Sequence, residues 1–150
     1  MPSTDRRTMA RELTMQAVCQ MDVQGEAALP MLDRFFIENS DDPEVRKLAQ
    51  KWSKGVWQSM KECDALITEA AVKWELSRLN QVDRSILRLG AYQLKYCPDI
   101  PEKVVINEAI ELAKKYSSES SPAFVNGVMD AILKKLKKNS SKESENKCEK

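Results

Sequence analysis

The chain alternates segments in which apolar residues recur every three or four positions with short breaks that are polar or contain glycine or proline. This spacing is typical of amphipathic α-helices, because it places the apolar side chains on one face. Leu13, Ala17 and Met21, for example, follow one another at intervals of four residues. No segment has the apolar–polar alternation that indicates a β-strand. The pattern predicts an all-α fold of six or seven helices, at residues 4–22, about 29–39, 43–60, 62–74, 82–96, 101–113 and 121–138.

Capping residues, proline and glycine mark where these helices begin and end. Gly25 follows the first helix, as glycine commonly does just past a helix end. Asp42 followed by Pro43 combines a capping carboxylate with a proline suited to the first helical position. Ser121 followed by Pro122 repeats this arrangement before the last helix. These local features support the segment boundaries that the apolar spacing predicts.

The composition favours one compact domain followed by a tail. The chain has 150 residues, of which 42% are hydrophobic and 31% charged, enough to build a core without disulfides. We predict a helical domain over residues 1–138 and a disordered, polar, Lys-rich tail over residues 139–150. The longest apolar run is three residues, so neither a membrane span nor a signal peptide is predicted, and we expect a cytoplasmic protein.

The missing residue types exclude several kinds of chemistry. The chain contains no histidine, which excludes an imidazole base, a Ser-His-Asp arrangement and any metal site that uses histidine. Its four cysteines are far apart and form no CxxC pair, so neither a zinc site nor a dithiol redox site is indicated. We therefore expect no catalytic residues, no metal and no cofactor.

Basic residues concentrate at the two ends of a chain whose net charge is only +1. Residues 134–150 contain seven lysines and three glutamates, and Arg6, Arg7 and Arg11 cluster near the start. On a helix Arg7 and Arg11 are four residues apart and are predicted to share a face, which could hold phosphates. Charge alone leaves the alternative open that these are ordinary solvated ends.

Glycines and tryptophans within the helices are further candidates for special roles. Each interior glycine costs about 1 kcal/mol relative to alanine, so we predict close helix–helix packing at positions 55, 90 and 127. Tryptophan could stack on RNA bases. Trp52, however, lies on an apolar face and is predicted to be core, whereas Trp57 is predicted to be half-exposed or to contact a partner.

The second half contains three dense sequence blocks, VDRSILRLGAYQL at 82–94, IPEKVVINEAIELAKK at 100–115 and FVNGVMD at 124–130. In this order and spacing they closely resemble the NusB transcription antitermination family. The first helix, with Arg6-Arg7, Arg11-Glu12 and Gln16-Ala17, is similar to the arginine-rich helix of that family. The resemblance covers residues 6 to about 136.

The resemblance implies an all-α fold of two packed helical subdomains without enzymatic activity. It implies that the protein binds the boxA element of nascent ribosomal RNA together with NusE, a protein of the small ribosomal subunit. With NusA, NusG and RNA polymerase, the pair would then suppress premature termination. The matched motifs make Arg6, Arg7 and Arg11 the expected RNA-contacting residues and add Phe124, near the start of the last helix, as a further RNA contact.

Some alternatives stay open beside this resemblance. Val18-Cys19 stands where the family commonly has Leu-Tyr, which affects the expected RNA and NusE contacts rather than the fold. A helical adaptor that binds proteins without RNA is one alternative. A second is the RNA-binding part of a ribosomal RNA cytosine methyltransferase system, although no Gly-rich methyl-donor site is recognisable here. The sequence does not decide between a monomer and a homodimer.

Overall fold

The computed structural model describes the backbone of residues 4–148 and the side chains of residues 6–140. Within that range the secondary structure consists of seven α-helices and two short 3-10 turns, without strands. The helices are α1 (Thr4–Gln24), α2 (Leu29–Asn39), α3 (Pro43–Gln58), α4 (Met60–Ala70), α5 (Gln81–Tyr96), α6 (Glu102–Tyr116) and α7 (Ser121–Cys148). The predicted all-α fold is confirmed.

Local interactions define several helix boundaries, of which the sequence predicted those at Asp42 and Gly25 but not the cap at Asn80. At the start of α3, Asp42 Oδ1 accepts a hydrogen bond from the backbone N–H of Glu44 at 3.0 Å. At the start of α5, Asn80 Oδ1 accepts one from the backbone N–H of Asp83 at 2.8 Å. Gly25 has φ of 62°, a left-handed conformation that glycine adopts without a steric cost, and it directs the chain out of α1.

One helix end differs clearly from the prediction. The fourth helix was predicted to continue to Trp74, but α4 ends at Ala70. Ala71 leaves the helical conformation, with φ of −96° and ψ of 61°, so the residues after it form a connecting segment. Val72 and Trp74 in this segment are 85% and 58% exposed. The prediction placed these residues in a helix because apolar residues at helical intervals usually form a buried face.

The helices pack as two groups, which contact each other mainly through α1 and α5. In the first group α1, α2 and α3 pack against one another, and in the second group α4, α5, α6 and α7 do so. α1 also packs along α5, which joins the groups around a continuous core. Trp52 of α3 belongs to this core, as predicted, with 2% of its surface exposed. The arrangement agrees with the expected two packed helical subdomains.

A network of ion pairs ties α1 to α4 and α5. Arg84 and Arg88 both donate to Asp22, and Arg88 also donates from Nε to Asp64 Oδ1 and from Nη2 to Asp64 Oδ2, at 2.8 and 3.0 Å. The hydrogen bonds from Arg84 and Arg88 lower the pKa of Asp22, although burial of the carboxylate opposes the shift. Two carboxylates and two guanidinium groups thereby connect three helices, an arrangement that the sequence did not predict.

The interior glycines divide into two kinds. A Cβ atom at Gly55 would overlap the ring of Tyr92, and one at Gly90 would overlap the end of the Met129 side chain. Close helix packing is therefore confirmed at these two positions. At Gly127 a Cβ atom would meet no atom within 4 Å, so the predicted close packing there is wrong. Gly127 instead lines an open surface groove.

The last helix is longer than the sequence predicted. Its helical backbone extends to Cys148, ten residues beyond Lys138. Lys137, Lys138, Asn139 and Ser140 are exposed, in agreement with the polar composition of this segment. The division into a domain over residues 1–138 and a disordered tail over 139–150 stays a prediction, because the side chains after residue 140 lie outside the described part. Among the described helices, none is long and apolar enough to cross a membrane.

Candidate nucleic-acid interface

Two of the three predicted arginines lie on the surface at the beginning of α1. Arg6 and Arg7 are both exposed. Arg6 Nε forms an ion pair with Asp42 Oδ2 at 2.8 Å, which connects α1 to the start of α3. An anionic ligand would therefore compete with Asp42 for Arg6. Arg7 presents its charge to solvent and is well placed for a phosphate contact.

Arg11, the third predicted arginine, lies in the interior. Only 2% of its surface is exposed. Its guanidinium group lies over the ring of Trp52, 5.3 Å from the centroid, and its Nε donates to Gln93 Oε1 at 3.3 Å. Burial lowers the pKa of Arg11, and the nearby carboxylate of Glu108 opposes that shift. Arg7 and Arg11 share a helix face as predicted, but that face is exposed at Arg7 and buried at Arg11, and an RNA contact by Arg11 stays a prediction.

Polar side chains of α1 and α6 form a second surface region. Thr8 Oγ1 donates to Glu108 Oε1 at 3.0 Å, and Lys115 Nζ donates to Glu12 Oε1 at 2.7 Å. The hydrogen bond to Glu12 raises the pKa of Lys115. Two hydrogen bonds thus hold the first turns of α1 against the middle and the end of α6, and Lys115 is a second exposed cation, in addition to Arg7, among the candidate phosphate contacts.

The loop after α6 is fixed by a buried carboxylate. Asp83 Oδ1 accepts from Ser117 Oγ at 2.7 Å, and Asp83 Oδ2 accepts from Ser121 Oγ at 2.9 Å. Asn80 Nδ2 donates to the same carboxylate at 3.0 Å. Because Ser121 is the first residue of α7, these bonds fix where α7 starts relative to α5 and α6. The fixed start determines the position of Phe124 one turn later.

Phe124 forms an exposed aromatic pair with Trp74. The ring centroids are 5.5 Å apart and the rings make an angle of 74°, an edge-to-face arrangement. Phe124 is half-buried and Trp74 is 58% exposed. A groove of about 350 Å³ runs beside the pair, with Lys73 and Gly127 among its lining residues. Sequence analysis singled out Phe124 only through the family resemblance. It raised base stacking for the tryptophans, Trp74 included, but did not place Trp74 beside Phe124, because no local pattern brings the two rings together.

We call four candidate residues for RNA contact together the basic–aromatic band: Arg7, Lys115, Phe124 and Trp74. Hydrogen bonds fix the elements that carry them, since Lys115 of α6 donates to Glu12 of α1 and Asp83 of α5 accepts from Ser117 and from Ser121 of α7. Exposed cations bind phosphates, and exposed aromatic rings stack on unpaired bases. Among the side chains that the structure describes, no group of three metal-ligating residues lies close enough to hold an ion.

Comparison with protein families and curated proteins gives a consistent result. The model of the NusB family matches residues 8–134. The transcription antitermination protein NusB of Anaeromyxobacter dehalogenans is 47% identical over 136 residues, which cover 89% of this chain and 94% of the relative. The protein of the same name from Sorangium cellulosum is 40% identical over 130 residues, covering 87% and 93% of the two chains.

Solved structures are similar in fold. One chain in the crystal structure of antitermination factors NusB and NusE in complex with dsRNA matches with a TM-score of 0.79 and 27% identity, covering 87% of this chain and 97% of that one. The structure of T. maritima NusB matches with a TM-score of 0.74 and 35% identity, covering 89% and 93%.

Proposed function

The chain belongs to the NusB family, and on this premise we propose that it is a transcription antitermination factor that binds RNA together with NusE. The RNA in this proposal is the boxA element of nascent ribosomal RNA transcripts. The bound pair then acts with NusA, NusG and RNA polymerase in the cytoplasm to permit transcription through terminators. The proposal gives the chain a binding role and no catalytic step.

The observation that carries the proposal is the basic–aromatic band. RNA recognition requires cations for the phosphates and flat surfaces for unstacked bases. Arg7 and Lys115 supply the first, and Phe124 with Trp74 supplies the second, on elements that hydrogen bonds hold in fixed relative positions. An adaptor that binds only proteins would not require exposed cations together with an accessible aromatic pair.

The existing ion pairs of Lys115 in the band and of Arg6 next to Arg7 lead us to expect that a partner is needed. Arg6 is paired with Asp42, and Lys115 with Glu12, so an RNA phosphate must replace an existing partner at each of these side chains. The whole chain has a net charge of +1, which gives little long-range attraction for RNA. We therefore expect weak RNA binding by the protein alone and much tighter binding with NusE, which would add its own contacts.

Filter binding to boxA RNA and to a scrambled RNA, with and without NusE, tests this function. We expect affinity for boxA to exceed that for the scrambled sequence at least tenfold when NusE is present. Equal affinity for the two RNAs in the presence of NusE would contradict the antitermination proposal and favour the adaptor. Light scattering of the same samples would decide between a monomer and a homodimer before RNA is added.

Variants locate the RNA surface in the same assay. Arg7→Ala and Phe124→Ala are both expected to weaken boxA binding while the protein stays folded. Arg34→Ala is the control for removing an exposed arginine outside the band, because Arg34 lies on the surface of α2, where it pairs with Glu38. If Arg34→Ala weakened binding as much as Arg7→Ala, the band would not be the RNA surface.

A further inference from the structure

A small cavity lies between α1, α5 and α6, on the inner side of the N-terminal helix. Its volume is about 10 Å³, and Arg11 and Gln93 are its polar lining residues. The remaining lining is apolar and includes Ile86, Leu89 and Leu112. A volume of this size is about what one water molecule needs.

Both polar lining residues have one nitrogen without a hydrogen-bond partner. Arg11 Nη2 and Gln93 Nε2 are buried donors that meet no acceptor in the structure. The other nitrogens of Arg11 are engaged, since Nε donates to Gln93 Oε1 at 3.3 Å and Nη1 lies 3.8 Å from Glu108 Oε1. Arg11 and Gln93 are only 2% and 1% exposed, so bulk solvent does not satisfy the two donors.

Leaving two buried donors unsatisfied is unfavourable, because each loses its hydrogen bonds to water on folding without gaining a protein partner. Native proteins usually avoid this cost with an ordered internal water that bridges such groups. The two residues that carry these donors line one cavity, the cavity has about the volume of one water molecule, and the group that the donors lack is a hydrogen-bond acceptor. We propose that Arg11 and Gln93 bind a single internal water molecule, whose oxygen accepts from Arg11 Nη2 and Gln93 Nε2.

A small anion is the competing occupant, because both protein groups are donors and Arg11 is positively charged. The carboxylate of Glu108 and the ring face of Trp52 already accompany that charge. A halide ion is larger than water, and the cavity would have to expand to hold it. A neutral acceptor of the size of water therefore fits both the volume of the cavity and the charges that surround it. The site does not depend on RNA binding and belongs to the free protein.

A crystal structure of the full chain that shows ordered solvent tests the proposal directly. We expect one solvent peak within hydrogen-bond distance of both Arg11 Nη2 and Gln93 Nε2. An empty cavity, or a side-chain rotamer that brings a protein acceptor to the two nitrogens, would overturn the proposal. A bromide soak distinguishes the anion, since an anomalous peak at this position would identify a halide site instead of a water.

The variant Gln93→Met removes one of the two donors while keeping a side chain of similar length. We expect the solvent peak to disappear from this variant, because a single polar partner does not hold a buried water. A peak that persists at the same position would show that Gln93 does not bind it and would contradict the proposal. In solution, a magnetisation-transfer contact between water and the Gln93 side-chain amide protons is expected in the unmodified protein, and its absence counts against the site.

Discussion

Replacing Arg11 with methionine separates a buried structural role from a direct RNA contact. Methionine keeps a long, flexible side chain and removes the charge and all hydrogen-bond donors. The change eliminates the bond to Gln93 Oε1 at 3.3 Å, the contact with the Trp52 ring at 5.3 Å and the ion pair with Glu108 at 3.8 Å. None of these interactions involves the exposed surface that carries Arg7.

The expected loss of stability is moderate because opposing contributions partly cancel. A hydrogen bond from a charged group contributes about 1.5–3 kcal/mol, and a desolvated cation–π contact about 2 kcal/mol. Burying the guanidinium group costs several kcal/mol, and methionine avoids that cost. Glu108 retains 22% exposure of its side chain, so water can solvate it once Arg11 is removed. We expect a net loss of about 1–2 kcal/mol, and each kcal/mol should lower Tm by about 2–4 °C in a chain of this size.

The decisive assay is the salt dependence of RNA binding in the presence of NusE. Each phosphate contact that is lost should reduce the slope of log K against log salt by about 0.7–1. Arg7→Ala should show this reduction, whereas Arg11→Met should leave the slope unchanged at a temperature where both variants are folded. A reduction for Arg11→Met equal to that for Arg7→Ala would refute the buried role and require Arg11 to reach RNA in the complex.

The remaining predictions concern stability measured by thermal and chemical denaturation. Gly127→Ala should raise the free energy of unfolding by up to about 1 kcal/mol, because alanine favours the helix and its Cβ meets no neighbour, whereas Gly55→Ala should lower it through overlap with Tyr92. The opposite order would contradict the assigned packing. Because the bonds from Arg84 lower the folded-state pKa of Asp22 below its unfolded value of about 3.9, the stability they contribute is present above that value and is lost as pH falls through the folded pKa. The Asp22→Asn variant should therefore lose less stability than the unmodified protein when the pH falls from about 5 to about 2. An identical loss in the two proteins would contradict the role of Asp22.

The helix boundaries at Asp42 and Gly25 were predictable from the sequence because the features that define them are local. Asp42 caps α3 through the backbone of Glu44, two residues away, and Gly25 ends α1 by its own backbone conformation. Such features depend on neighbouring residues only, and a linear sequence displays them. The helical spacing likewise placed Trp52 correctly, because α3 has a single buried face.

The position of Arg11 was not predictable in this way, because α1 is buried on more than one side. α1 lies between α3 and α5, and most positions from Ala10 to Val18 are buried. A helix surrounded by other helices has no simple polar face. The spacing that put Arg7 and Arg11 on one face was correct, but that face turns from exposed to buried along its length. Only the positions of α3, α5 and α6 reveal where this change occurs.

The ion pairs of Asp22 and the aromatic pair of the band were missed for a related reason. Asp22 and Arg84 are 62 residues apart in sequence, and Arg88 and Asp64 are 24 residues apart. Phe124 and Trp74 lie on different elements that meet only because α4 ends before Trp74. Contacts between distant elements depend on how the helices pack, which apolar spacing does not specify.

Gly127 connects these observations about the fold to the proposed function. A glycine inside a helix costs about 1 kcal/mol, and at Gly55 and Gly90 close helix packing provides the reason for it. At Gly127 no such packing exists, and the space that a side chain would occupy belongs to the groove beside Phe124 and Trp74. A larger residue there would extend into that groove and narrow it. On the proposed function, we therefore expect the glycine to keep the groove open, so that an unpaired RNA base can reach the two rings.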